Sequence, residues 1–252
     1  LWLPEVAGRD PFALAGHLFA QTQTLRIATG IANVFARDPA AMRAGAATLA
    51  ELSAGRFMLG LGVSNPGINA ARGNPVWQTP VAKMRGYLAA MDNLSMSLPD
   101  TPYPRYVAAH AKGLLGVARD CADGAHTYLM TQDHTREARA RLGPGPALSP
   151  VMFVLVERDA GAARGLVRRA VAYYMGLDYY HRAWRALGFA DEDFADGGSD
   201  RLIDAVAAWG SLEDVRSRVA AQAEAGASRV IVIPLNATKG IPDWDVLAQI
   251  VA

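Results

Sequence analysis

The stretch "ATGIANVFARDP", residues 28–39, begins as a strand and ends at a helix entrance, and the reading of its middle decides the fold. An apolar run, Ile27-Ala28-Thr29, stops at Gly30-Ile31-Ala32-Asn33 rather than at an ordinary turn. Glycine weakens strand interiors and marks bulges or close backbone approach. A Gly followed by a β-branched residue and a lone Asn therefore reads as backbone bent toward something. Asp38-Pro39 then supplies a capping residue and a proline at the first helical position. The same Asp-Pro start recurs at Asp10-Pro11, after "LWLPEV" (1–6).

Working outward, apolar runs at 1–6, 25–34, 57–64 ("FMLGLGVS"), 106–111, 125–130 ("AHTYLM"), 151–157 ("VMFVLVE") and 229–235 ("RVIVIPL") are expected strands. Helical patterns lie between them. In "SLEDVRSRVAAQAEAGAS", Ser211 and Asp214 have capping-box spacing and Gly226 closes the helix. Continuous rather than alternating apolar strands are buried on both faces, as in parallel sheets covered by helices. Repeated βα units give an α/β protein, either an open doubly wound sheet or a closed barrel. Seven strands are one short of the eight that close a barrel, and the chain opens on Leu1-Trp2 without an initiator methionine. The expectation is a TIM-like (β/α)8 barrel whose first βα unit lies outside the chain. The Gly/Pro/Asn-rich loop 65–80 and the insertion 159–210 follow strand ends, where barrels keep ligand loops. No stretch reads as a linker, so residues 1–252 are expected to form a single domain.

Composition narrows the classes. Of 252 residues, 51% are hydrophobic and 19% charged, and the net charge is +1. That balance offers no electrostatic footprint for nucleic acid, and no apolar run reaches the roughly 18 residues of a membrane span. A single cysteine, Cys121, makes no internal disulfide and reads as a small buried hydrophobe rather than a nucleophile. A reducing, cytoplasmic setting is expected.

The strand ends supply Glu5, Asn33, Ser64, His110, Lys112 and His126. No nucleophile elbow, Walker loop or dinucleotide fingerprint accompanies them, and Gly60-Leu61-Gly62 is only a G-x-G. The five histidines lack metal-ligand spacing, so no metal is expected. A carboxylate in an apolar strand needs a partner, which singles out Glu5. Trp77, Tyr179 and Tyr180 either line an apolar pocket or belong to ordinary core.

Taken together, "LWLPEVAGRDPF", "ATGIANVFARDP", "LAELSAGRFMLGLGVS" and "CADGAHTYLMTQDHT" resemble the luciferase-like monooxygenase superfamily. They are most similar to its branch of oxidoreductases that use the deazaflavin coenzyme F420. The resemblance implies a TIM-like barrel with the cofactor at the C-terminal strand ends. It implies hydride transfer between the deazaflavin and an organic small molecule. The alternatives are an FMN-dependent monooxygenase of the same superfamily, or a non-catalytic cofactor-binding barrel. Relatives dimerise through the helices after strands 1–6 and 25–34, both Ala-rich here, so a homodimer is expected.

The resemblance also places residues. Gly30-Ile31 falls where such proteins bulge under the ring, often through a non-prolyl cis peptide, and the plain alternative is a strand end with a satisfied Asn. Ile31 would press on the ring face, Asn33 would meet its polar edge, and Val63 and Ser64 would lie along the ring and its side chain. Relatives hold the cofactor phosphate on a segment reading Ala-Ala-Leu-Gly-Pro-Lys. Here it reads Ala108-Ala109-His110-Ala111-Lys112-Gly113, which leaves the amides of Ala111, Lys112 and Gly113 to hold the anion. Glucose-phosphate-oxidising relatives carry an acid–histidine pair after the first strand, where this chain has Glu5-Val6. That scheme is set aside, and Glu5 or His126 is left to move the proton.

Overall fold

The computed structural model describes residues 1–6, 8–74, 78–97, 99–236 and 244–251. Contacts group the chain into two compact units, Leu1–His126 with Arg141–Pro146, and Thr127–Ala140 with Ala147–Ala252.

The first unit opens with β1 (Trp2–Leu3), α1 (Pro11–Gln21), β2 (Ile27–Thr29), β3 (Ala32–Asn33) and α2 (Pro39–Leu52). It continues through β4 (Phe57–Gly62), α3 (Pro66–Ala71), α4 (Pro80–Asp92), β5 (Arg105–Ala108), α5 (Lys112–Cys121) and the first residues of β6 (Gly124–Tyr128). β1 pairs with β2, both β2 and β3 pair with β4, and β4, β5 and β6 follow in order, every pairing parallel. The two Asp-Pro starts form as the sequence dictates. Asp10 accepts from the amides of Phe12 and Ala13, and Asp38 from those of Ala40 and Ala41. All six residues of β4 are buried, with Phe57, Leu59 and Leu61 fully inaccessible, as a strand covered on both faces requires.

After α6 (Gln132–Leu142), the second unit carries β7 (Ala147–Val156), α7 (Ala160–Val171), α8 (Asp178–Ala186), α9 (Asp200–Val206), β8 (Ala207–Gly210), α10 (Leu212–Glu224), β9 (Ile231–Pro234) and α11 (Trp244–Val251). β7 pairs in parallel with β8 along 153–156 and with β9 along 151–154. Its core gathers Val167, Val171, Tyr180, Trp184, Leu202, Ile203 and Val206. Trp184 is fully buried, and its indole N–H donates to Leu129 O at 3.0 Å. α10 starts on the expected capping box, Ser211 Oγ accepting from Asp214 N while Asp214 accepts from Ser211 N.

The α/β class with parallel strands is observed. Three details differ from the sequence reading. The strand expected over 1–6 is only Trp2–Leu3, because the segment leaves the sheet at Pro4. The run 25–34 is two strands, interrupted at Gly30-Ile31. β8 lies outside the seven expected runs, since "LIDAVAAWGS" continues an apolar helix without a turn residue before Gly210. Among the described residues, no helix is long and apolar enough to cross a membrane.

Candidate active site

The interruption at Gly30 is a bulge. β2 pairs with β4 as Ala28↔Met58, but beyond the break Ala32 pairs with Leu61, so the register drops by one residue. The Gly30–Ile31 peptide bond is cis. Where the ladder is lost, a side chain replaces it. Thr29 Oγ1 donates to Gly60 O at 2.7 Å and accepts from Gly60 N at 2.9 Å, fully buried. The glycines opposite are there for room. A Cβ at position 60 would lie 2.0 Å from Thr29 O, and one at position 62 would lie 2.5 Å from Ile31 Cδ1. Gly60-Leu61-Gly62 thus clears space for the bulged backbone and for the Ile31 side chain.

Ile31 lies across Gly62 and is half-buried. Register continues that row sideways: Leu61 pairs with Val107 and Ala108 with His126, which puts Gly62, Ala108 and His126 level on neighbouring strands. Val63 is buried and Ser64 half-buried just beyond β4, with Ser64 at φ +56°. The row is therefore an apolar floor ending in an imidazole. His126 is buried and stacks on the Trp2 indole, ring centroids 4.6 Å apart and planes within 6°. Trp2 in turn meets Tyr106 edge-on at 5.6 Å.

Glu5 sits beside the bulge as an anchor. One carboxylate oxygen accepts from Asn33 N (2.9 Å) and Arg37 Nη1 (2.7 Å), and the other accepts from Arg72 Nη2 (2.8 Å). Arg37 also pairs with Asp10. Burial alone would raise the Asp10 pKa, but the Ala13 amide, Arg37 and the Phe12 amide outweigh it and hold the carboxyl below its ordinary range. With its side chain 3% exposed and both oxygens engaged, Glu5 ties three segments together. Asn33 lies on β3. It is fully buried, its Nδ2 donates to Asn69 Oδ1 (2.7 Å), and its Oδ1 accepts from Phe35 N (2.9 Å). The Asn33 side chain thus links the bulge to Asn69 and to the start of the next loop.

The start of α5 is different. Ala111 and Lys112 are exposed, and no side chain caps the helix. Gly113 has a packing reason, since a Cβ there would lie 2.7 Å from Val81 Cγ2 on α4. Cys121, at the other end of α5, is half-buried with Arg85 Nη1 3.6 Å from its sulfur. Tyr180 is core, 3% exposed, its phenol pKa raised first by burial, while the Tyr179 ring packs beside it at 4.8 Å. Trp77 lies outside the described residues. Among the described residues no cluster of His, Cys, Asp or Glu could hold a metal ion.

Arg37, Arg72, Asn69, Thr29 and Trp2 matter to this geometry, and sequence reasoning does not single them out. The one signal available is the pair Gly30 and Gly60, whose absent side chains make room for the Trp2 indole.

The family model for luciferase-like monooxygenases matches residues 1–229. The 5,10-methylenetetrahydromethanopterin reductase of Methanolobus tindarius is 23% identical over an alignment covering 88% of this chain and 81% of that protein. Two solved structures share the fold. One is an F420-dependent secondary alcohol dehydrogenase in complex with an F420–acetone adduct, with TM-score 0.75 and 14% identity, covering 99% of this chain and 86% of the other. The second is the oxygenating constituent of 3,6-diketocamphane monooxygenase from Pseudomonas putida in complex with FMN, with TM-score 0.66 and 18% identity, covering 99% and 85%.

Proposed function

Because this chain belongs to the luciferase-like monooxygenase family, we propose that it is an oxidoreductase that binds coenzyme F420 and transfers hydride between the deazaflavin and a small organic substrate. The observation that carries this reading is the floor. Ile31 lies over the side-chain-free Gly62, level with Ala108 and His126 at the strand ends. A flat ring, a polar side chain and a phosphate are what this donor set fits: Ile31 and Val63 offer apolar contact, the Ser64 hydroxyl a polar one, and the uncapped start of α5 an anion site.

The deazaflavin, when bound, supplies the hydride chemistry. The chain binds and orients. Ile31 supports the ring face, and Gly62 leaves the room in which the Ile31 side chain lies. The amides of Ala111, Lys112 and Gly113 point outward from a helix start, and Lys112 adds a positive charge, which suits a phosphate. Glu5 holds Asn33 N and Arg37, fixing the bulge as a positioning residue. His126, at the end of the floor row, is assigned the proton that accompanies transfer. Residues 1–252 act as one luciferase-like domain, working in the cytoplasm as a homodimer through α1 and α2. A monomeric mass by light scattering at micromolar concentration would remove the dimer.

FMN is the second reading, supported by the FMN-bound monooxygenase of the same fold. Titrating the protein with F420 and with FMN, following ring absorbance, separates the two. Saturable F420 binding followed by turnover with a substrate panel supports the first reading, and preference for FMN supports the second. Binding without turnover would leave a non-catalytic cofactor-binding protein.

A further inference from the structure

We propose that Trp2 is a positioning residue: its indole is the platform that fixes the ring plane of His126 at the end of the site floor. The inference rests on the proposed role of His126 and names the residue that makes it usable.

The platform is built by absences. Trp2 leaves β1 and crosses the faces of β2 and β4 at the positions of Gly30 and Gly60. A Cβ at position 30 would lie 3.2 Å from Trp2 Cβ and 3.3 Å from its Cε3, and one at position 60 would lie 3.3 Å from Cζ3. With both side chains missing, the Cε3–Cζ3 edge of the indole passes over these two strands, and the ring reaches residues of β5 and β6. There Tyr106 closes it edge-on at 5.6 Å, an arrangement that aromatic quadrupoles favour. His126 stacks on its face at 4.6 Å, with planes only 6° apart.

A stacked face restrains the second side-chain torsion of a histidine, which is otherwise broad. Rotation of the imidazole about that torsion would drive its edge into the indole. The neighbour in register on β5 is Ala108, too small to impose a ring plane itself. Trp2 lies parallel to the imidazole, so the plane in which the ring nitrogens lie is set from β1.

The test is proton NMR of histidine-labelled protein, with no cofactor added. The His126 ring protons should be displaced upfield relative to exposed His17 by the indole ring current, with ring contacts to the Ala108 methyl. Trp2→Leu should abolish the displacement and alter those contacts. Trp2→Phe should keep the contacts with a smaller displacement, and it decides the matter if Trp2→Leu does not fold. Ordinary His126 shifts in the wild type would overturn the proposal, as would unchanged contacts in Trp2→Leu or an undiminished displacement in Trp2→Phe. In the F420 assay, Trp2→Leu should lower kcat by about 10²-fold, the scale of a misplaced reacting group, at unchanged cofactor Kd. An unchanged kcat would overturn it. If the wild type binds no F420, the functional reading fails while the NMR result for Trp2 stands.

Discussion

The bulge at 29–33 and the start of α5 both occupy ends of parallel strands, and from sequence both are expected to face the same ligand. They use their polar groups in opposite ways. Around the bulge, Glu5, Thr29, Asn33 and Asn69 are buried and spend their hydrogen bonds on the protein itself. At α5, Ala111 and Lys112 are exposed and no side chain caps the helix. A polar residue at a strand end is thus either part of the scaffold that shapes the floor or part of the surface offered to the ligand. Burial and partners tell the two apart, and residue type does not.

The largest expected effect falls on the scaffold side. Glu5→Gln leaves two guanidiniums facing a neutral amide. Breaking a buried ion pair costs about 3–5 kcal/mol, and with Arg72 at 32% exposure the lower end, about 3 kcal/mol, is expected in urea unfolding. A loss under about 0.5 kcal/mol would mean that the clamp contributes nothing.

Gly60→Ala should come next, at about 1–3 kcal/mol, the range for forced overpacking. The clash is with a backbone carbonyl that cannot swing aside. Gly62→Ala meets the Ile31 side chain rather than backbone, so it should cost less stability and more cofactor affinity. Equal losses of stability in the two variants would contradict the bulge geometry.

Asn33→Ala orphans groups that it now satisfies, and about 1–3 kcal/mol of stability should go. Cofactor affinity should not change. A weakened Kd at unchanged stability would move Asn33 to the ligand-facing side of the comparison.

Much of the fold is legible in the sequence because strands buried on both faces and Asp-Pro helix starts depend on local physics. The bulge is legible too, since Gly30 before a β-branched residue is out of place in a central strand. The roles around it are not. Whether Asn33 faces a ligand or Asn69 depends on a residue 36 positions away. The partners of Glu5 come from positions 33, 37 and 72, a set that no spacing announces. Gly60 and Gly62 look like a weak nucleotide motif, because the Thr29 carbonyl and the Ile31 side chain that they accommodate belong to another part of the sheet.

Smaller effects sharpen the comparison. The folded-state pKa of Asp10 is depressed, so its contribution is present above the unfolded carboxylate range and is lost as pH falls through the folded value. Asp10→Asn, which can still cap α1, should flatten that part of the acid denaturation curve, and an unaltered curve would show that the pairing with Arg37 carries no stability. Lys112→Ala should leave the Tm unchanged and weaken cofactor binding by about 0.3–1 kcal/mol, fading with added salt. A salt-independent loss, or a lowered Tm, would place Lys112 in the scaffold.

The most direct measurement is a titration of coenzyme F420, followed by ring absorbance, into wild-type protein and Ile31→Ala. Trimming Ile31 removes apolar contact worth about 0.8 kcal/mol per methylene equivalent, so saturable wild-type binding should weaken about tenfold or more in the variant, measured where both proteins are fully folded. Equal affinity in the two proteins, or no binding to the wild type, would contradict a deazaflavin ring resting on the floor at Ile31 and Gly62.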